Sequence, residues 1–194
     1  MRKLLILIIA TFVVFGFSAT AQAFEYKSMM RMNGVAAFAD WYSEDEGTSI
    51  YSYLQVVETK SGTDVMFFTC TEWVEGDENF SSCKDGYLFT TDDVFSVDKK
   101  LNTATLSVAD LELWDWNAGT FEFVTLEAVW NGTGDLMKGS FKVVDKFDNV
   151  TQKFSDRSTM RDAMANAEVG GMDLGDSVYG GIAQFRDMEI FMVK

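Results

Sequence analysis

Histidine and proline do not occur in this chain of 194 residues, and cysteine occurs only twice. Without histidine the chain cannot form a Ser-His-Asp or Cys-His catalytic group, nor a zinc, copper or non-haem iron site with imidazole ligands. The absence of proline is typical of strands, because proline cannot donate the backbone N–H that a sheet ladder uses. These absences exclude most hydrolase mechanisms and favour a β-rich fold.

Basic residues are also scarce, with 16 lysines and arginines against 30 aspartates and glutamates and a net charge of −14. Nucleic acids and anionic lipid surfaces are bound through clusters of lysine and arginine, so we expect neither as a partner. We expect no cofactor apart from a weak calcium site, because calcium takes carboxylate and carbonyl ligands alone. The turns at 75–79 and 170–176, which contain glycine and aspartate, are its candidates, although both are first interpreted as ordinary turns.

The first 23 residues have the pattern of a bacterial secretory leader. A basic start at Arg2 and Lys3 precedes the apolar run 4–17 and the cleavage signal at 21–23. The apolar run is shorter than the roughly 20 residues of a membrane span, and no later run approaches that length without charges. We therefore predict a signal peptide over 1–23, a secreted or periplasmic protein without a membrane span, and a net charge of −16 once the leader is removed.

The clearest strand signals lie between Thr103 and Asn149. Three runs, 103–116, 120–130 and 136–147, are rich in β-branched and aromatic residues. Between them lie 117–119 and 131–135, whose glycines can adopt the positive φ that tight hairpin turns require. The pattern predicts a three-stranded antiparallel meander.

Further runs of strand length precede and follow this meander, with no alternation of strands and helices. The weaker segment 155–167 is compatible with a strand of small residues or with a single helical turn. We predict one all-β domain over 24–194, an antiparallel meander of about nine or ten strands that closes as a β-barrel. A β-sandwich is the alternative.

The two cysteines are placed for a disulfide. Gly76 and Asp77 suit a two-residue hairpin turn, and a hairpin centred there pairs Cys70 with Cys83. That pair falls on a rung without hydrogen bonds, whose Cα atoms lie about 4.5 Å apart, inside the range of a disulfide. In an exported chain we expect a structural bridge rather than a reactive thiol or a metal pair.

One group of residues on the meander is unusual. Pairing the first two strands across 117–119 places two tryptophans and three carboxylates on one face, subject to a slip of one residue if a bulge intervenes: Trp114, Trp116, Asp110, Glu112 and Glu122. The opposite face then carries the expected core residues Leu111, Leu113, Phe121 and Phe123. Exposed indoles beside carboxylates suit sugar binding or the apolar patch of a partner, so we interpret this group as the candidate ligand site, unless a neighbouring segment covers the rings. We assign no catalytic or metal-ligating residue.

Two segments carry a resemblance. The residues Asp98 to Leu106 (DKKLNTATL) and Trp130 to Leu136 (WNGTGDL) resemble a pattern of uncharacterised exported bacterial β-rich proteins. The two segments lie within 94–136, about a quarter of the chain after the leader. The resemblance implies an exported bacterial β domain, and it brings no activity, cofactor or catalytic residue.

Three functions are compatible with these observations. The leading hypothesis is an exported, non-enzymatic binding or interaction domain of the bacterial cell envelope, which recognises a sugar, a small apolar ligand inside the barrel or another protein. The alternative is a structural or matrix-type secreted protein, in which an interface should cover the tryptophans instead of leaving them in a concavity. A carboxylate glycosidase is the third and least favoured, and it would need two acids about 5 to 9.5 Å apart across a cleft.

Overall fold

The computed structural model describes residues 26–147 and 150–193, so the predicted signal peptide and its cleavage site lie outside the described residues. Every regular element in these two ranges is a β-strand, and the all-β prediction is confirmed. None of the described residues forms a helix that is long and apolar enough to cross a membrane. The strands are β1 (Tyr26–Asp45), β2 (Thr48–Thr59), β3 (Gly62–Glu75), β4 (Glu78–Thr90), β5 (Phe95–Val97), β6 (Thr103–Asp115), β7 (Thr120–Gly132), β8 (Met137–Phe147), β9 (Val150–Val169), β10 (Met172–Asp176) and β11 (Tyr179–Val193).

Eight of these strands form a closed ring of antiparallel pairs. Going round the ring, β1 pairs with β2, β2 with β3, β3 with β4, β4 with β6, β6 with β7, β7 with β9, β9 with β11, and β11 again with β1. The strands are not spread evenly round one axis. The ring therefore has the continuous pairing of a barrel together with the flattening of a sandwich.

The interior of the ring is filled by apolar side chains that alternate with outward-facing residues along each strand. Trp130 is the largest fully buried side chain, and its indole Nε1 donates a 3.0 Å hydrogen bond to the carbonyl of Phe38. The ring of Phe95 packs edge-on against it at 6.3 Å. Other wholly buried members include Ala37, Leu54, Val56, Val65, Phe67, Leu111, Leu126, Ala165 and Ile182.

The loop 98–102 closes one end of this interior. Leu101 adopts a positive φ of 56°, unusual for leucine, and its side chain is buried. Asp98 secures the loop, since its carboxylate accepts hydrogen bonds from the backbone N–H of Asn102 at 2.5 Å and from its side-chain amide at 2.8 Å. Desolvation opposes ionisation of Asp98, but these bonds outweigh it and lower its pKa.

Strand β8 departs from the predicted meander. It pairs with β9 and not with β7, so the segment 131–135 is not a hairpin turn. Both β7 and β8 lie antiparallel to β9 along the same edge, β7 against residues 163–169 and β8 against 150–160, so the chain continues in one direction through a short break. Gly132 is needed there for close approach rather than for a positive φ, because a Cβ would lie 2.7 Å from the carbonyl oxygen of Leu101.

A four-stranded sheet continues beyond the ring, and we call it the extension. It consists of β8, the first half of β9 (150–157), the second half of β11 (186–193) and the first part of β1 (26–33). The ambiguous segment 155–167 is thus part of a 20-residue strand, and the first strand begins at Tyr26. The inner face of the extension is the one that continues the ring interior, and the outer face is the opposite one.

A carboxyl pair lies on the outer face of the extension, with one member buried and the other half-buried. Asp187 of β11 lies directly across from Asp156 of β9, between Phe141 on one side and Met32 on the other. Asp187 is 7% exposed, and its Oδ1 has no hydrogen-bond partner among the described residues. Burial, followed by the hydrogen bond and the charge of Asp156, raises the pKa of Asp187 to about 7.

Replacing Trp130 by alanine should lower the free energy of unfolding by roughly 3 to 5 kcal/mol, because it removes a fully buried ring and leaves a cavity. Urea denaturation monitored by circular dichroism measures the loss. Trp116, which is 63% exposed, provides the matched control, and its replacement should change stability by less than about 0.5 kcal/mol. Equal losses in the two variants would contradict this assignment of core and surface.

Replacing Asp187 by asparagine should remove a pH-dependent cost of folding. Between about pH 4 and 7 the folded protein holds a proton on Asp187 that the unfolded chain has released, so wild-type stability falls as the pH rises. Between about pH 4 and 8 the free energy of unfolding of the wild type should fall by roughly 1 to 4 kcal/mol more than that of Asp187→Asn. The size follows from the raised pKa, since one pKa unit corresponds to about 1.4 kcal/mol. Asp145→Asn, at an exposed position of the same face, should keep the wild-type pH profile, and a profile that is unchanged in Asp187→Asn would refute the assignment.

Candidate functional site: an aromatic groove over the disulfide hairpin

The hairpin of β3 and β4 has the predicted register. Glu75 pairs with Glu78 across the turn, and Gly76 has a φ of 66°. Cys70 and Cys83 are directly paired and form a disulfide, with their Cα atoms 4.0 Å apart. The bridge therefore lies where the sequence predicted it, on the outside of the ring.

The hairpin of β6 and β7 is shifted by one residue from the predicted pairing. The turn spans four residues, 116–119, instead of the predicted three, so that Trp114 pairs with Phe121 and Leu113 with Glu122. A bulge between Val108 and Leu111 shifts the register again farther from the turn. Leu111 and Leu113 are buried as predicted. The core assignment of Phe121 and Phe123 is wrong, because they lie on the outer face and are 59% and 66% exposed.

The same shift separates Glu122 from the tryptophans. Glu122 forms a 2.7 Å salt bridge with Lys84, whose Nζ also lies 3.7 Å from the carboxylate of Asp115. These three side chains lie at the end of the ring opposite the extension. The hydrogen bond to Glu122 raises the pKa of Lys84. Asp110 and Glu112 remain exposed on the outer side. The predicted group of two tryptophans and three carboxylates is thus divided between the two faces.

Pairing of β4 with β6 joins the disulfide hairpin to the tryptophan hairpin. Because Asp85 pairs with Trp114, one row of outward side chains runs across five strands. Its members, in strand order, are Tyr53, Phe68, Asp85, Trp114 and Phe121. The rings of Trp114 and Phe121 lie 4.6 Å apart, centre to centre, and Trp114 is half-buried between its neighbours.

Trp116 forms one wall of a groove beside this row. Its indole Nε1 donates a 2.5 Å hydrogen bond to Asp85, which draws the ring across β4. The groove has a volume of about 570 Å³, and its lining includes Met66, Phe68, Ser81, Cys83, Asp85, Trp116 and Asn117. It thus combines an exposed indole, an apolar floor beside the disulfide and several polar groups at the rim.

The position of Trp116 is fixed by the turn that follows it. The Asp115 carboxylate accepts hydrogen bonds from the backbone N–H of Ala118 at 2.8 Å and of Asn117 at 2.9 Å. The bond from Ala118, more than any other contact, lowers the pKa of Asp115. Asn117 also donates its side-chain amide to the carbonyl of Ser81 at 2.9 Å, which ties the turn to the disulfide hairpin.

The groove is suited to binding rather than to acid–base chemistry. Its one carboxylate, Asp85, already accepts the Trp116 hydrogen bond, and Glu122 lies on the opposite face from Asp110 and Glu112. In the described ranges, no three acidic or cysteine side chains converge where a metal ion could be held. At one predicted calcium turn, Asp173 accepts a 2.8 Å hydrogen bond from the backbone N–H of Gly175. Weak calcium binding stays a prediction.

Of the residues that line the groove, only Trp116 was predicted as part of the ligand site, and Met66, Phe68 and Asp85 are among those that were missed. The predicted hairpin register already paired residue 66 with 87 and 68 with 85, so the sequence could have shown that these residues share one face of the hairpin. The missing information was the pairing of β4 with β6, which no local pattern specifies.

No family model matches this chain, and comparison with curated proteins and with solved structures gives no significant match either.

Proposed function

We propose that this chain is an exported, non-enzymatic binding domain of the bacterial cell envelope, and that the groove beside Trp116 holds a sugar ring. The observation that carries the proposal is the exposed indole of Trp116 fixed over a groove with an apolar floor. An indole face packs against the C–H face of a sugar, while carboxylate and amide groups at the rim bind its hydroxyls. The disulfide is consistent with export to an oxidising compartment.

The rigidity of the groove supports a binding role. Trp116 is fixed by its bond to Asp85, and the floor is cross-linked by Cys70 and Cys83. A site that is ordered before binding loses less conformational entropy on association. The ring interior, by contrast, is filled by side chains such as Trp130, which favours an external site over a ligand inside the barrel.

The charge around the groove selects against anionic sugars. Asp85 lies at its rim, and the nearby hairpin turn carries Glu75, Asp77 and Glu78 without a compensating lysine or arginine between residues 70 and 83. Like charges at short range repel, so a neutral or cationic saccharide is the expected class of ligand.

A glycan array probed with the protein from residue 24 onward tests this function. The wild type should bind a subset of neutral or amino sugars, and Trp116→Ala should weaken binding about tenfold or more, which corresponds to a loss of about 1.4 kcal/mol. Asp85→Asn should reduce binding too, because it removes the rim carboxylate and weakens the bond that holds the indole.

Phe123→Ala is the matched control, since Phe123 is an equally exposed ring on the same face that does not line the groove. It should bind as the wild type does, and all three variants should keep the wild-type melting temperature within a few degrees. Unchanged binding by Trp116→Ala, or a large loss of its melting temperature, would contradict the proposed site.

A further inference from the structure

The inner face of the extension is basic. Among the residues whose side chains are described, strand alternation from the observed register places seven cationic residues there: Arg31, Lys138, Lys142, Lys146, Lys153, Arg157 and Arg186. These are seven of the 16 lysines and arginines of the whole chain, and no aspartate or glutamate occupies a position of that face. A protein with a net charge of −14 thus carries a sheet face of the opposite sign.

The cations of this basic face form no salt bridge with any other described residue. Six of the seven are exposed and Lys153 is half-buried. Throughout 26–147 and 150–193, the salt bridges are those of Lys84, at the far end of the ring. Arg186 contacts the neutral side chain of Asn33, with a 3.1 Å hydrogen bond from its Nε. The face is therefore open to an anionic partner.

The opposite end of the molecule carries complementary charge. The β1–β2 and β3–β4 hairpin ends expose seven carboxylates: Glu44, Asp45, Glu46, Glu72, Glu75, Asp77 and Glu78. Neither 42–51 nor 70–83 contains a lysine or arginine. At about 3.3 Å per residue, Glu44 lies roughly 40 Å along β1 from Arg31, several times the screening length of about 8 Å at physiological salt. The two charged regions cannot neutralise each other within one molecule.

We propose that the basic face of the extension docks the acidic hairpin ends of a second copy of this chain. The two surfaces are different, so the contact is heterologous and repeats from copy to copy in an open or ring-shaped assembly. Four strands about 4.8 Å apart and some ten residues long offer roughly 600 Å² per copy, less than the about 800 Å² of a standard interface. The association is accordingly weak, driven by charge and sensitive to salt.

Sedimentation velocity of the mature protein tests the contact. The weight-average sedimentation coefficient should rise with concentration at roughly 20 mM salt and return to the monomer value at about 0.5 M, where the screening length has fallen to a few ångströms. A basic-face variant with Lys138→Glu, Lys142→Glu and Arg157→Glu should be monomeric under both conditions. So should an acidic-end variant with Glu75→Lys, Asp77→Lys and Glu78→Lys.

Mixing the two variants provides the decisive measurement. Each variant alone keeps one intact surface but lacks the charge of its counterpart. In an equimolar mixture the intact acidic end of the basic-face variant meets the intact basic face of the acidic-end variant, so association should return. The matched control, with Lys60→Glu, Lys99→Glu and Lys100→Glu, has the same net charge as the basic-face variant but keeps the basic face, and it should associate as the wild type does.

Three outcomes would overturn the proposal: a wild type that stays monomeric at low salt, a basic-face variant that still associates, or a mixture that does not. Vesicles containing phosphatidylglycerol serve as a separate probe. If the monomeric wild type bound them through the basic face, the occupant would be lipid phosphate and not a second copy. Sugar binding by the groove is measured independently, so failure here leaves the glycan result standing.

Discussion

The neighbours of β9 determine the architecture of this protein. Along one edge its residues 163–169 pair with β7 and its residues 150–160 pair with β8. The first contact closes the ring of eight strands, and the second creates the sheet that extends beyond it. A backbone N–H or C=O left unpaired in a buried sheet is costly, so a 20-residue strand needs partners along its full length. The break at Gly132 allows two shorter strands to supply them.

Strand alternation gives the same side of the long strands two different environments, the apolar core in the ring and the basic face in the extension. The register of β1, β9 and β11 contains no bulge where ring and extension meet, so the side that faces the core in the ring remains the same side beyond it. Inside the ring this side carries residues such as Ala37 and Ile182, which the opposite wall covers. Beyond the ring, the described residues leave this side exposed, and it carries Arg31 and Arg186. The change from apolar to cationic residues marks where the opposite wall ends.

Local sequence patterns predicted the structure correctly where the structure depends on a single turn. The turn at Gly76 and the spacing of Cys70 and Cys83 predicted the hairpin register and the disulfide. The length of the turn at 116–119 has no comparable signal, and its one extra residue moved Phe121 and Phe123 from the predicted core to the surface. Because strand side chains alternate with a period of two, any single-residue slip reverses the faces of the following segment.

Pairings between distant strands were beyond prediction, since they depend on the whole ring. The sequence suggested a hairpin at 131–135 because its glycines resemble turn residues, but the chain passes straight through, with Gly132 packed against Leu101. The candidate site depends on a pairing of the same kind. Trp116 meets Asp85 only because β4 lies beside β6, a contact made across 31 residues of chain.

Net charge proved a poor guide to the surface, since it averages over regions that do not interact. Charges separated by more than a screening length act independently, so each end of an elongated molecule presents its own sign to a partner. The end with the groove and the acidic hairpins carries negative charge, whereas the inner face of the extension carries positive charge. The sequence-based expectation treated the surface as uniformly acidic, whereas the observed register gathers at least half of the lysines and arginines that follow the leader onto one sheet face.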